Sequence, residues 1–212
     1  MKRLLTLFFI LVACGAFLYL FFGFYVSRVE QPRYELIKKE QDISIRRYPS
    51  MVMAEVQLVG RRLKALTGGF ELLSDYIFGY NKEKEKIRMT APVFHEVHKG
   101  DLTTVIMDDD KREWTIRFVM PAEVPLKELP DPNHRKVKLV EAPPQEFVVI
   151  EFTGSNSEKN FNHHLTKLYN YIQENDLQVE GGPIYAFYNP PWVLPFLRRN
   201  EILYQLKETV RK

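Results

Sequence analysis

Apolar and polar residues change period several times along this chain, and each change marks an element. Leu63, Leu66, Phe70, Leu73 and Ile77 recur every three or four residues, which predicts an amphipathic helix whose apolar face lies on something. Before it, residues 34–37 and 43–47 alternate as half-buried strands do, with a turn near Gln41-Asp42. Pro49-Ser50 interrupts the alternation, and residues 51–59 resume it with Met51, Met53, Glu55 and Gln57 against Val52, Ala54, Val56 and Leu58. Gly68-Gly69 reads as a soft spot within or just before the helix, and Gly79 with Asn81 as the turn that ends it. Residues 81–88 are almost wholly polar and read as a solvated loop. Strands are then expected at 87–97, 102–107 and 114–120, the last with Trp114, Ile116, Phe118 and Met120 on one face. Four prolines between Pro121 and Pro132 make that stretch a crossing loop rather than a helix or central strand.

The second half repeats this order. Strands are expected at 137–140 and 147–152, joined by a turn at Pro143-Pro144. A helix follows over 157–175, with Phe161, Leu165, Leu168 and Ile172 on its apolar face. Gly181-Gly182 breaks the chain before strands at 184–188 and 201–206. RRYPSMVMAEV and EAPPQEFVVIEF are both proline turns feeding a β-rich run, each followed after a gap by a helix. Two β-β-α-β-β units, at 34–120 and 136–206, predict a duplicated α+β domain. Neither unit can bury its sheet and its helix alone. A small apolar ligand is expected in the groove between helix and sheet.

Composition sharpens this. The chain has 212 residues, 45% hydrophobic and 27% charged, which excludes disorder. Thirty basic against 27 acidic side chains, with no basic stripe, argue against nucleic acid. Residues 4–26 carry no charge and follow Lys2 and Arg3. At 1.5 Å per residue they are long enough for a membrane anchor, with 27–33 as linker and the domain over 34–212. Membrane lipid is then a partner through this segment, with the domain extracytoplasmic, on the periplasmic side of a single pass. Leu11-Val12-Ala13-Cys14-Gly15 resembles a bacterial lipoprotein box, so a lipidated Cys14 is the alternative, and a cleaved signal a third.

Cys14 is the sole cysteine, which excludes disulfides, a cysteine metal site and covalent haem attachment in the folded part. His95 and His98 fall on opposite faces of a strand, and His163 and His164 stand about 100° apart on a helix, so neither pair suits one metal. No nucleophile elbow, phosphate loop or zinc motif occurs, and an enzyme is not expected. The cluster Tyr185, Phe187, Tyr188, Trp192 and Phe196, followed by Arg198, Arg199 and Glu201, has two readings. It folds over a core edge with its charges in water, or forms a ligand rim with guanidinium groups for a carboxylate, and the two can hold together.

Several motifs together resemble the SOUL haem-binding protein family. They are Ile45-Arg46-Arg47-Tyr48, Tyr76-Ile77-Phe78-Gly79-Tyr80-Asn81, Arg88-Met89-Thr90-Ala91-Pro92-Val93, Val119-Met120-Pro121, Phe152-Thr153-Gly154, Asn189-Pro190-Pro191-Trp192 and Arg198-Arg199-Asn200-Glu201. The resemblance covers about 31–206. It implies a distorted barrel with two flanking helices, similar to the GyrI-like ligand-binding domains, and non-covalent binding of haem, another tetrapyrrole or a small apolar ligand near the first helix. One branch has a histidine ligand directly before the motif tyrosine; here Arg47 occupies that position, and a guanidinium does not ligate iron. Another branch holds the ring by an apolar surface, with basic side chains on the propionates. The expected site is therefore Leu66, Phe70, Leu73 and Met89 over the ring, with Arg47, Arg61 or Lys64 as carboxylate partners. Met89 is either a weak axial ligand or plain core. The competing function is a membrane-tethered interaction or structural module without a specific haem role.

Overall fold

The structure is a computed structural model that describes residues 15, 29–97, 112–190 and 192–207. Its elements are β1 (Glu35–Glu40), β2 (Ile43–Tyr48), β3 (Met51–Val59), α1 (Arg62–Ile77), β4 (Val93–Val97), β5 (Glu113–Val119), β6 (Lys138–Ala142), β7 (Gln145–Phe152), α2 (Glu158–Glu174), β8 (Val179–Phe187) and β9 (Asn200–Leu206). All nine strands join one sheet in the order β1-β2-β7-β9-β8-β4-β5-β3-β6. Every pairing is antiparallel. The sheet curls through 205° into an open half-barrel flanked by the two helices.

Setting β1 aside, the strand order is the same read from either end once the halves are exchanged, which is the duplicated unit expected from the sequence. The halves interlock. β2 pairs with β7 and β3 with β6, while β4 pairs with β8 at the centre. Pro49-Ser50 and Pro143-Pro144 are therefore corners and not hairpin turns: each carries the chain from one end of the sheet to the other. The two corners lie side by side, with Tyr48 opposite Gln145 and Met51 opposite Ala142. Ser50 Oγ fastens them, donating to Ala142 O or Glu141 Oε1 at 3.0 and 2.9 Å.

Alternation along the strands gives the sheet two apolar faces. The larger core lies under the helices, where Val56, Ile116, Val148, Ile150, Ile202 and Tyr204 have no exposure. α1 packs on β3 and β5, and α2 on β7 and β9. On α2 the predicted stripe Phe161, Leu165, Leu168 and Ile172 is buried, and Ser157 caps the first turn by accepting from the Asn160 amide at 3.4 Å. On α1, Leu73 and Ile77 are buried, Leu66 partly so, and Phe70 lies at the margin, edge-on to Phe118 at 5.4 Å; the side chain of Leu63 is outside the described part. A second apolar cluster, including Tyr48, Met53, Phe94, Phe147 and Leu203, covers the concave face away from both helices.

Several expectations change. β4 begins only at Val93, since Pro92 has no amide hydrogen for a ladder, and 87–92 contribute a single isolated bridge, Thr90 with Glu30. The 81–88 loop is exposed at 82–86 and 88, as its charges suggest, and it is anchored at its start. Asn81, 1% exposed, donates to Tyr76 O and Glu85 O and accepts from the Glu85 amide, so one side chain anchors the turn. Gly181-Gly182 does not break the chain but lies in an irregularity within β8. The strand expected at 102–107 falls outside the described residues.

The membrane anchor is corrected. Among the described residues no helix is long and apolar enough to cross a membrane. α1 and α2 have 16 and 17 residues, short of the roughly 20 that a span needs, and both give their apolar stripes to the sheet. Residues 4–14 and 16–26, on which the anchor was expected, lie outside the described residues. The single-pass, extracytoplasmic topology, the signal-anchor role, the lipid partner and the lipidated Cys14 fall with it.

Candidate functional site

The concave face holds a pocket of about 290 Å³ at the two proline corners. Tyr48, Met51, Ala142 and Gln145 form the corner side, Phe94, Ile184 and Leu203 the opposite apolar side, and Glu55, Glu96 and Arg117 a charged wall. The wall is built by register. Glu55 on β3 stands directly opposite Arg117 on β5, and Glu96 on β4 is one row away. Arg117 donates Nε to Glu55 Oε2 at 2.9 Å and Nη1 to Glu96 Oε2. Burial would lower the pKa of Arg117, but Glu96 and Glu55 together raise it, so the guanidinium stays charged between two carboxylates. Glu141 stands in register with Val52 on the opposite face, and its carboxylate accepts from Ser50. The Tyr48 hydroxyl is pushed up to about 12, by burial first and then by Glu201, so it lines the pocket as a neutral phenol.

A second polar cluster on the concave face closes the far end of the sheet. Glu201 has no exposure; its Oε1 accepts from Arg46 Nη1 at 2.8 Å and from Arg199 Nη2 at 2.7 Å. The Tyr188 hydroxyl donates to its other oxygen at 2.8 Å. Of the two readings given to the 185–201 segment, neither holds throughout: Trp192 and Phe196 are 60% and 68% exposed, whereas Val193 is buried and Glu201 is locked in this network.

The residues expected to hold a ring are dispersed. Leu73 is wholly buried in the helix-side core, Leu66 is partly buried, and Phe70 and Met89 are 40% and 39% exposed. Arg61 and Lys64 are exposed at the start of α1. Arg47 lies on β2 between β1 and β7, holding Glu35 at 2.9 Å and Glu146 at 2.6 Å. None of the seven lines the concave pocket. Sequence reading missed Glu55, Glu96 and Arg117. The signal available was a charged residue at an alternate position of strands whose other positions are apolar, but only the curl of the sheet makes that face an interior.

Among the described residues no histidine lines this pocket. His95 is fully buried, stacked on Trp114 at 4.5 Å on the helix side of the sheet. His164 stacks on Phe152 at 4.0 Å and contacts Asn160 O at 2.8 Å through Nδ1, and burial holds its pKa below the usual value. Among the described residues no group of three or more His, Cys, Asp or Glu is placed to hold a metal ion. A tetrapyrrole with ionised propionates does not fit the concave pocket, where the carboxylates Glu55 and Glu96 outnumber the single guanidinium and no histidine among the described residues takes part.

Solved structures share the fold. The C-terminal domain of EcmrR is similar over 83% of this chain and 99% of its own, with a TM-score of 0.59 at 10% identity. A protein titled a hydrolase from Listeria innocua is similar over 81% of this chain and 94% of its own, with a TM-score of 0.54 at 16% identity. At such identities the likeness is one of fold alone. None of the curated proteins matches the chain. Residues 29–205 match the SOUL heme-binding protein family, so the chain belongs to that family.

Proposed function

We propose that this protein binds a small, largely apolar ligand non-covalently in the concave pocket between its two halves. One observation carries this reading: an apolar-lined cavity of about 290 Å³ lies where the two proline corners meet, close to the lower end of the usual range for small-ligand sites. Membership of a haem-binding family supports a ligand-binding role in general. A second reading places haem or another tetrapyrrole along the margin between α1 and the sheet. It is favoured by Phe70 and Met89, two large apolar side chains that stay well exposed, with Arg61 and Lys64 exposed on the same helix for the propionates.

Two variants separate the readings. Ala142→Trp fills the pocket from a partly exposed position, and Phe70→Asp spoils the margin of α1. The neutral fluorophore N-phenyl-1-naphthylamine is expected to bind the wild type and Phe70→Asp alike, and to lose its enhancement in Ala142→Trp. Haemin, followed in the Soret region with albumin as the adsorption control, reads the other site. Saturable haemin binding lost in Phe70→Asp and kept in Ala142→Trp would establish the α1 surface instead.

A further inference from the structure

The two halves of the sheet are related by the duplication, but the pocket they share is not symmetric. Glu55 faces Arg117 across β3 and β5, whereas the corresponding pair across β7 and β9 is Val149 and Leu203. Thr115 faces Glu96, and the position matching Thr115 is Glu201, which faces Ala186; the counterpart of Glu96 is thus an alanine. One side of the cleft is charged and the other apolar. Resting on the reading of this pocket as a ligand site, we infer that its ligand is an amphiphilic cation, a compact apolar body carrying an ammonium or similar group directed at the β3-β4-β5 side.

Three features set the sign of the charge. Glu55 and Glu96 share Arg117, which leaves that wall one negative charge in excess. Glu55 is only 8% exposed and Glu96 is partly buried, so their field is less screened than that of surface carboxylates. Tyr48, Phe94 and Phe147 also line the cavity, and aromatic faces attract a desolvated cation. An anionic ligand would have to take Arg117 from two carboxylates that already hold it. A neutral ligand would leave the excess charge facing an apolar body.

The test uses the full chain and a charge series on one scaffold: benzyltrimethylammonium, its uncharged isostere neopentylbenzene, and benzylsulfonate. Each competes against N-phenyl-1-naphthylamine. The cation is expected to displace the fluorophore about tenfold more tightly than the neutral isostere, with the anion weakest. In Glu96→Gln the ratio of cation to neutral affinity should fall by about tenfold, a readout that a general loss of binding would leave unchanged. Equal binding of the three probes, or a preference for the anion, overturns the charge assignment but leaves the pocket as an apolar site. Failure of the fluorophore itself to bind overturns the pocket reading and the inference together.

Discussion

Glu201 shows how much one side chain decides when the sheet closes over it. A carboxylate with no exposure is tolerable because Arg46 and Arg199 neutralise it and Tyr188 satisfies its second oxygen. Burial would raise its pKa, but the attraction of Arg46 and then Arg199 outweighs burial and holds it below the ordinary value of 4.5. The sign follows. A carboxyl whose pKa is depressed by folding contributes stability above its unfolded value and loses it as pH falls through the folded value. The unfolding midpoint should therefore drop on acidification below pH 4.5, and Glu201→Gln should flatten that acid limb. At neutral pH the same variant leaves Arg46, 4% exposed, with only Glu151 at 3.5 Å as a carboxylate partner, at a cost of about 3 kcal/mol in urea unfolding. An acid limb unchanged by the substitution would show that other carboxylates control it. In the sequence Arg198-Arg199-Asn200-Glu201 looks like a solvated run; its burial depends on Arg46, 155 positions away, and no local pattern carries that.

At the scale of an element, α1 lies so close to β5 that one of its glycines is obligatory. A Cβ on Gly69 would stand 2.8 Å from Ile116 Cδ1 and Cγ1, whereas one on Gly68 would meet only Leu58 Cδ1 at an ordinary 3.6 Å. The adjacent glycines should thus respond oppositely to alanine. Gly68→Ala should raise stability by about 0.5–1 kcal/mol through helix propensity. Gly69→Ala gains the same propensity but must displace a fully buried isoleucine side chain, for a net loss of about 1–2 kcal/mol. Paired thermal melts check this, and a stabilising Gly69→Ala would mean that helix and strand separate easily. The helices were legible in the sequence because a 3.6-residue period is a local property. The pair Gly68-Gly69 was legible only as a weakness, because a close approach is set by the partner strand and not by the helix.

The whole molecule depends on the two corners. Had Pro49-Ser50 and Pro143-Pro144 been hairpin turns, each half would have formed its own sheet and the concave face would have stayed flat. Instead β2 finds β7 and β3 finds β6, so each half completes the other. This is why the duplication could be read from element order while the pocket could not. Met51, Met53 and Glu55 alternate against Val52, Ala54 and Val56, and that pattern fixes two faces without telling which is concave or what stands across from it. The interlock has a thermodynamic consequence. Residues 29–124 alone would keep the β3-β5 and β4-β5 pairs and α1 but lose the partners of β2, β3 and β4 from the second half. Residues 125–207 alone lose the reciprocal set. Neither fragment can bury both of its sheet faces, so circular dichroism of each alone should show little cooperative structure. An equimolar mixture should recover the sheet signal and one concerted melt, as the intact chain should when followed by several probes. A fragment that melts cooperatively by itself would show that the corners join two finished units, and the pocket between them would then be a seam rather than a product of folding.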